Sequence, residues 1–301
     1  MDTRALLSLT TVAETGSFSR AAAALGFTQS AVSQHVAGLE KAAGAPLLTR
    51  RPSVAPTPAG REFLRHARQI LAHEQAARAA VTRLTGRDAD RPVSVSSTPA
   101  TEHLVPTAGP LTAVVVHDAA TASAALASGG ADVAVVDGIA APRDPLTGTD
   151  TDLIVRLVAE APVGVLLPAD HPLARRRVLD LATLTDTRWL DTTRTRCATS
   201  DLSAAARLRL RRGAVYSGSS TDTVASLVRA GHGLHAAPMS GALPDDDPAA
   251  PAPDGLTVVP LTSPRLVHRI EVRTHASARP AVLRLAEAVG SPGRGTGRPA
   301  L

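Results

Sequence analysis

Three stop signals in the first 44 residues restrict this chain more than any other feature. Gly16, Gly26 and Gly44 punctuate a stretch otherwise suited to helix, and Ser17 and Thr28 follow the first two within two residues. Glycine accommodates the left-handed residue that closes a helix, and a Ser or Thr side chain caps the free N–H groups that open the next. The spacing predicts helices over 3–14, 18–25 and 29–43. Leu6, Leu7, Leu9 and Val12 give the first an apolar stripe. Val32, Val36 and Leu39 do the same for the third, and Phe27 is placed to plug the core between them. Two short helices joined by a tight glycine turn form a helix-turn-helix.

With Val32, Val36 and Leu39 turned inward, Gln29, Ser30, Ser33, Gln34 and Ala37 face outward. That face is polar, small and uncharged. Gln pairs bidentately with adenine in the major groove, and Ser suits bases or phosphates. A plain solvated helix face is the alternative for such a surface. Next comes PLLTRRPSVAPT, residues 46–57, which reads as a β-hairpin wing with Arg50 and Arg51 at its tip. Arginines there suit phosphates or the minor groove. From Ala59 to Leu84 a long helix is predicted. Phe63, Ala67, Ile70, Glu74, Ala77, Val81 and Leu84 alternate at spacings of four and three, widened by Leu71. Such a seam expects a second copy in an antiparallel or crossed pair; packing on the chain's own C-terminal part is the alternative. Charge is skewed the same way. Residues 1–90 hold 11 basic against 7 acidic side chains, and the remaining 211 hold 21 against 20. A polyanionic partner for the N-terminal third follows.

The stretch from Val12 to Gly60 resembles the DNA-binding domain of LysR-type transcriptional regulators. The residues that carry the resemblance are Gly16-Ser17-Phe18-Ser19-Arg20-Ala21-Ala22, Leu25, Gln29-Ser30-Ala31-Val32-Ser33, Leu39-Glu40, Gly44, Leu47 and Thr57-Pro58-Ala59-Gly60. The resemblance implies that the third helix enters the major groove through Gln29, Ser30, Ser33 and Gln34. It also implies backbone contacts from Ser17, Ser19, Arg20, Thr28, Arg50 and Arg51. Ser30 stands where such regulators usually carry proline, and Gln34-His35 where Arg-Gln is common. The first change alters the helix start; the second removes one charged groove contact, so a target sequence different from the usual is expected. The resemblance further implies a homodimer, or a tetramer of two dimers, on an interrupted inverted repeat of double-stranded DNA. RNA polymerase is a further partner it allows.

After Arg91-Pro92 short strands and helices alternate, which argues for α/β lobes with largely parallel sheets. Strands fit 93–97, 113–117, 133–136, 153–158, 163–167, 188–190, 214–216, 234–236, 256–259 and 267–272; helices fit 101–108, 120–127, 179–184, 199–211, 221–230 and 278–289. This part resembles the family's two-lobed effector domain of periplasmic-binding-protein architecture, on Ala131-Asp132-Val133-Ala134-Val135-Val136, Asp170-His171-Pro172-Leu173-Ala174 and Val228–Leu234. One departure is the room for only a short helix between Leu104 and Val114, which trims the first lobe. The expected organisation is a winged helix-turn-helix over 1–58, a dimerising linker helix over 59–86 and an effector domain over 91–290, with a disordered tail over 291–301. Lobe 1 takes 91–160 and 266–290, and lobe 2 takes 161–265. Ligands of open α/β sheets sit beyond the carboxyl ends of strands. That position selects Ser96, Ser97, Thr98 and Thr101, then Thr192 and Thr193, then Ser217 through Ser219, Ser220 and Thr221. Hydroxyls and free N–H groups at helix starts favour a small anion, with ordinary helix capping as the alternative.

The ten histidines fall into no metal-ligand spacing, and no nucleophile elbow or phosphate loop accompanies them, so neither an enzyme nor a cofactor is expected. The N-terminus lacks the apolar core of a secretory signal and no run of 18 apolar residues exists, so a cytoplasmic protein without a membrane span is expected. A solute-binding protein with no DNA role is one alternative. A redox-sensing regulator is another, because Cys197, the one cysteine, lies near Arg194 and Arg196, which lower a thiol pKa.

Overall fold

In the computed structural model, which describes residues 2–50, 53–85, 91–106, 111–146, 152–239 and 255–290, three helices open the chain. They are α1 (Thr3–Thr15), α2 (Phe18–Leu25) and α3 (Gln29–Ala43), each closed by a glycine in the left-handed region, Gly16, Gly26 and Gly44. Leu6, Leu9, Val12, Val32, Val36 and Leu39 meet in one buried core. Leu7, read as part of the first helix's apolar stripe, is instead exposed. Strands β1 (Leu48–Thr49) and β2 (Ala55–Pro56) pair antiparallel and make the wing. Arg51 and Pro52 at its tip lie outside the described residues, as do Gly86 and the predicted tail over 291–301.

Helix α4 (Pro58–Thr85) starts against the wing, and Thr57 makes the joint. Its hydroxyl accepts from Gly60 N at 2.9 Å and donates to Pro46 O at 2.7 Å, while Thr57 N donates to Leu47 O at 3.0 Å. The predicted seam divides along this helix. Ala67 is 1% exposed inside the domain's own core, with Phe63 and Leu71 half-buried beside it. These three are spoken for within the protomer. Ile70, Ala77, Val81 and Leu84 remain exposed, and Glu74 pairs with Arg78 at 2.7 Å.

Contacts part the chain between Thr82 and Arg83 into two compact units. The second is built on a sheet of eight strands among the described residues. Its order is β4 (Leu111–Val116), β3 (Val93–Ser97), β5 (Val133–Ala140), β12 (Val267–His275), β6 (Leu153–Pro168), β11 (Leu256–Ser263) and β7 (Leu179–Asp180), with β10 (His235–Pro238) also on β6. The sheet is mixed and not largely parallel: β12 runs antiparallel to β5 and β6, and β6 antiparallel to β10 and β11. The two strands read over 153–158 and 163–167 are one strand of 16 residues. Pro162 lies where β6 passes from β12 to β10 and β11, at a change of partners. Proline has no N–H to give a ladder, so a strand tolerates it at such a break.

Helices α5 (Ala119–Ala127), α6 (Thr199–Ala206), α7 (Thr221–Arg229) and α8 (Pro280–Ala288) flank the sheets, and β8 (Trp189–Thr192) pairs parallel with β9 (Arg212–Tyr216). The helix read over 199–211 stops at Ala206 because Arg207 turns left-handed. The one read over 101–108 is only a 3-10 turn at Glu102–Leu104 among the described residues. That read over 179–184 is a short strand and a 3-10 turn. One core gathers Val93, Val95, Val133, Ile270, Val282 and Leu285; another gathers Val163, Leu181, Trp189, Leu202 and Leu234.

Gly60 yields a test with an unusual sign. A Cβ there would stand 1.8 Å from Leu47 O. Gly→Ala inside a helix ordinarily stabilises by about 1 kcal/mol. Here Gly60→Ala forces wing and helix apart and should destabilise the N-terminal unit by ~3 kcal/mol or more. Urea unfolding followed by circular dichroism checks it; an unchanged or raised midpoint contradicts the joint.

Candidate functional site

On the N-terminal unit, residues expected to contact DNA also cap the helices. Ser17 accepts from Arg20 N at 3.3 Å and Thr28 from Ala31 N at 3.2 Å, so both of these predicted phosphate contacts serve first as helix caps. Gln29, Ser30 and Gln34 are exposed along α3, and Ser33 is half-buried. Ser19 donates to Gln29 Oε1 at 3.1 Å, which holds that side chain across the turn between α2 and α3. Arg20 is exposed, its guanidinium donating to Thr15 O. Arg50 lies 5.6 Å over the Phe18 ring and 3.8 Å from Glu40. This surface is therefore an uncharged helix edge, with the guanidiniums of Arg20 and Arg50 near Thr15 and Phe18.

Glu40 and His35 support that edge and were not singled out as site residues. Glu40 Oε1 accepts from Leu47 N at 2.9 Å and Leu48 N at 3.2 Å, tying α3 to the wing. His35 Nδ1 lies 2.8 Å from Ser8 Oγ, and its ring meets Phe27 edge-on. A polar residue one position from a buried Leu or Val was the available signal.

In the α/β unit the predicted effector residues split. Ser96, Ser97, Thr98, Thr101 and Thr192 are buried, whereas Thr193, Ser217, Ser219, Ser220 and Thr221 are exposed. Thr192 accepts from Thr199 N at 3.2 Å and Ser220 caps α7, so the capping alternative holds for these two. Thr98 donates to Asp137, whose other oxygen takes His268 Nε2 at 2.8 Å. Ser96 and Ser97 hydroxyls have no hydrogen-bond partner among the described residues.

A cavity of about 650 Å³ opens between α5, β5 and α6, lined by apolar side chains together with Ser123, Asp137, Asp201 and Arg273. None of the hydroxyls selected from the sequence lines it. Arg273 is fixed from several sides. It donates to Ser123 Oγ, Leu146 O and Glu271 Oε2, each at 2.9 Å, and Glu271 also takes Leu146 N at 3.0 Å and Arg269 Nε at 3.2 Å. Among the described residues no three His, Cys, Asp or Glu side chains group as a metal site requires, and no helix is long and apolar enough to cross a membrane.

Burial sets the titrations. Cys197 is buried, which pushes its thiol well above the usual value; Asp137 and Asp201 add to that, and Arg196 opposes it weakly. The redox alternative needs an accessible thiolate, and this site disfavours one. Burial carries His235 down to about 4, leaving a neutral ring against Arg196 O. Asp201 is pushed up to about 6, first by burial and then by Asp137. Its ordinary value is 3.8, so its contribution to stability is complete below about pH 4 and is lost as pH rises through about 6. Asp201→Asn should therefore gain ~1–3 kcal/mol on wild type between pH 5 and pH 8. Melting curves of both proteins at the two pH values decide it, and a constant difference refutes the assignment.

Residues 3–61 match the model of the bacterial regulatory helix-turn-helix protein, lysR family, and residues 108–291 match the LysR substrate binding domain. The small neutral protease regulatory protein of Streptomyces coelicolor is 34% identical over 197 residues, 63% of this chain and 59% of that protein. Its counterpart from Streptomyces lividans is 34% identical over a stretch covering 63% of this chain and 56% of that one. The chain thus spans less than two thirds of the length of these relatives. The regulator ArgP of Pseudomonas aeruginosa is 46% identical over 69 residues, 23% of each chain. A full-length OxyR variant from Pseudomonas aeruginosa shares the fold, with a TM-score of 0.52 at 22% identity over 96% of this chain and 94% of that one. With both family models matched in order and the second covering more than half of the sequence, this chain belongs to the LysR family.

Proposed function

We propose that this chain is a cytoplasmic transcriptional regulator that binds DNA in a sequence-specific way and is controlled by a small-molecule effector. Gln29, Ser30, Ser33 and Gln34 read bases in the major groove. Ser17, Ser19, Arg20, Thr28, Arg50 and Arg51 hold the phosphate backbone. The observation that carries this reading is the exposed Gln29-Ser30-Gln34 edge of a capped helix in a unit that also presents Arg20 and Arg50 beside Thr15 and Phe18. No catalytic role is assigned to any residue.

A duplicate of that edge comes from pairing of α4 through the side chains left exposed beyond the domain core. Ile70 is 40% exposed, Val81 61% and Leu84 78%, which is an unusual apolar stripe to leave in water. Pairing there gives two recognition helices and an inverted-repeat target. The α/β unit, with its cavity between α5, β5 and α6, is the sensing part.

Gln29→Ala should weaken binding to the operator by about 1–3 kcal/mol while leaving non-specific duplex binding in place. Gel-shift titrations against operator and scrambled DNA measure both, and an equal loss on the two removes the base-contact role. Ile70→Asp should convert the dimer to monomer in sizing with light scattering; an unaltered mass argues against the α4 seam.

A further inference from the structure

We propose that the cavity between α5, β5 and α6 takes a small molecule with a protonated amine head on a short apolar body. The inference rests on the reading of the α/β unit as an effector sensor and names the chemical class of that effector.

The shape comes from small side chains on facing elements. Ala124 and Ala127 of α5 and Ala205 of α6 leave space that Val136, Ile139 and Leu146 line with hydrocarbon. A concave, mostly apolar site with a few convergent polar groups is how small ligands are held, and about 650 Å³ lies within the usual size range.

The charge comes from groups whose partners are already counted. Arg273 brings a positive charge to the wall, but it is bound to Glu271 and to two further acceptors, Ser123 and Leu146, which neutralises it locally. Asp137 spends one oxygen on Thr98 and the other on His268. Asp201 is the polar group left over: its hydrogen bond in the described structure comes from its exposed neighbour Ser200, at 3.2 Å. Asp137 and Asp118 both act on Asp201 as like charges, and His268 opposes them more weakly than Asp137 acts. Cys197 stays protonated nearby. A carboxylate held among carboxylates beside an apolar cavity lacks a cation, and the ligand supplies it. The hydroxyls selected from the sequence favoured an anion; none of them lines this cavity, and the wall that does carries the opposite demand.

The pH dependence follows from the same groups. Alkylammonium probes remain charged from pH 5 to pH 7.5, whereas Asp201 takes up a proton as pH falls through about 6. The other titratable groups that act on Asp201 are Asp137, Asp118 and His268. Binding of an amine should therefore weaken on acidification.

The full chain in phosphate buffer, titrated by calorimetry, tests this with two probes that share a phenethyl body and carry opposite charge: phenethylammonium and 3-phenylpropionate. Phenethylammonium should bind at pH 7.5 and lose at least tenfold in affinity at pH 5. Asp201→Asn should cost at least tenfold with the melting transition retained, and Asp201→Glu should restore part of it. Ala124→Trp fills the cavity from an exposed position without touching charge, and should abolish binding while leaving the melting transition in place. Equal or tighter binding of 3-phenylpropionate overturns the cationic class but leaves an effector site standing. Binding of neither probe, or phenethylammonium binding untouched by Asp201→Asn and Ala124→Trp, overturns the cavity as a site. Gel shifts on the same preparation judge the DNA reading independently.

Discussion

Glu271 has no exposed surface, so its charge must be answered from inside the protein. The answer comes from its own strand. Arg269 and Arg273, two residues to either side on the same face of β12, both donate to it, and Leu146 N adds a third contact. Removing one partner of such a buried pair costs about 3–5 kcal/mol, because an uncompensated charge remains. The strand that carries this network is hydrogen-bonded to β5 on one side and β6 on the other. Arg273 also reaches Ser123 of α5 and the carbonyl of Leu146. The network therefore fixes α5 and the loop at Leu146 against the sheet, and these are two walls of the cavity. A rigid wall allows Asp201, across the cavity on α6, to remain short of a counter-charge.

The N-terminal unit solves a different problem with the same economy. Apolar packing seats α3 through Val32, Val36 and Leu39, and polar side chains tie each element to the next. Glu40 secures the wing to α3, and Thr57 secures the wing to α4. Gly60 lets the helix approach the Leu47 carbonyl closely. None of these ties uses Gln29, Ser30 or Gln34, which stay exposed along α3. The function proposed for that edge thus depends on side chains that never touch DNA.

Much of this was legible beforehand. The three capped helices, the inward stripe of Val32, Val36 and Leu39, and the wing followed from local rules that need no tertiary contact. The seam of α4 was less legible. A four-and-three repeat states that one face is apolar without stating what covers it, and Ala67, Phe63 and Leu71 turned out to face the protomer's own core. The effector hydroxyls were chosen by their place after strands. That rule points to one end of a sheet but cannot tell a buried side chain such as Thr192, engaged by Thr199 N, from an exposed one such as Thr193.

The sequence by itself determined where helices start and stop in the first 60 residues, which face of α3 is polar, and the family to which the chain belongs, because each of these is written in contacts between near neighbours. Only the tertiary structure decided what VHRIEVRTH means. Its alternation of charged and apolar residues is the usual mark of a strand with one face in water, yet β12 is central and both its faces are covered. It also decided that Asp137, Asp201 and Arg273, far apart along the chain, border one cavity. Charges separated by dozens of residues interact only once the sheet has brought their strands and helices together, so no local pattern can announce them.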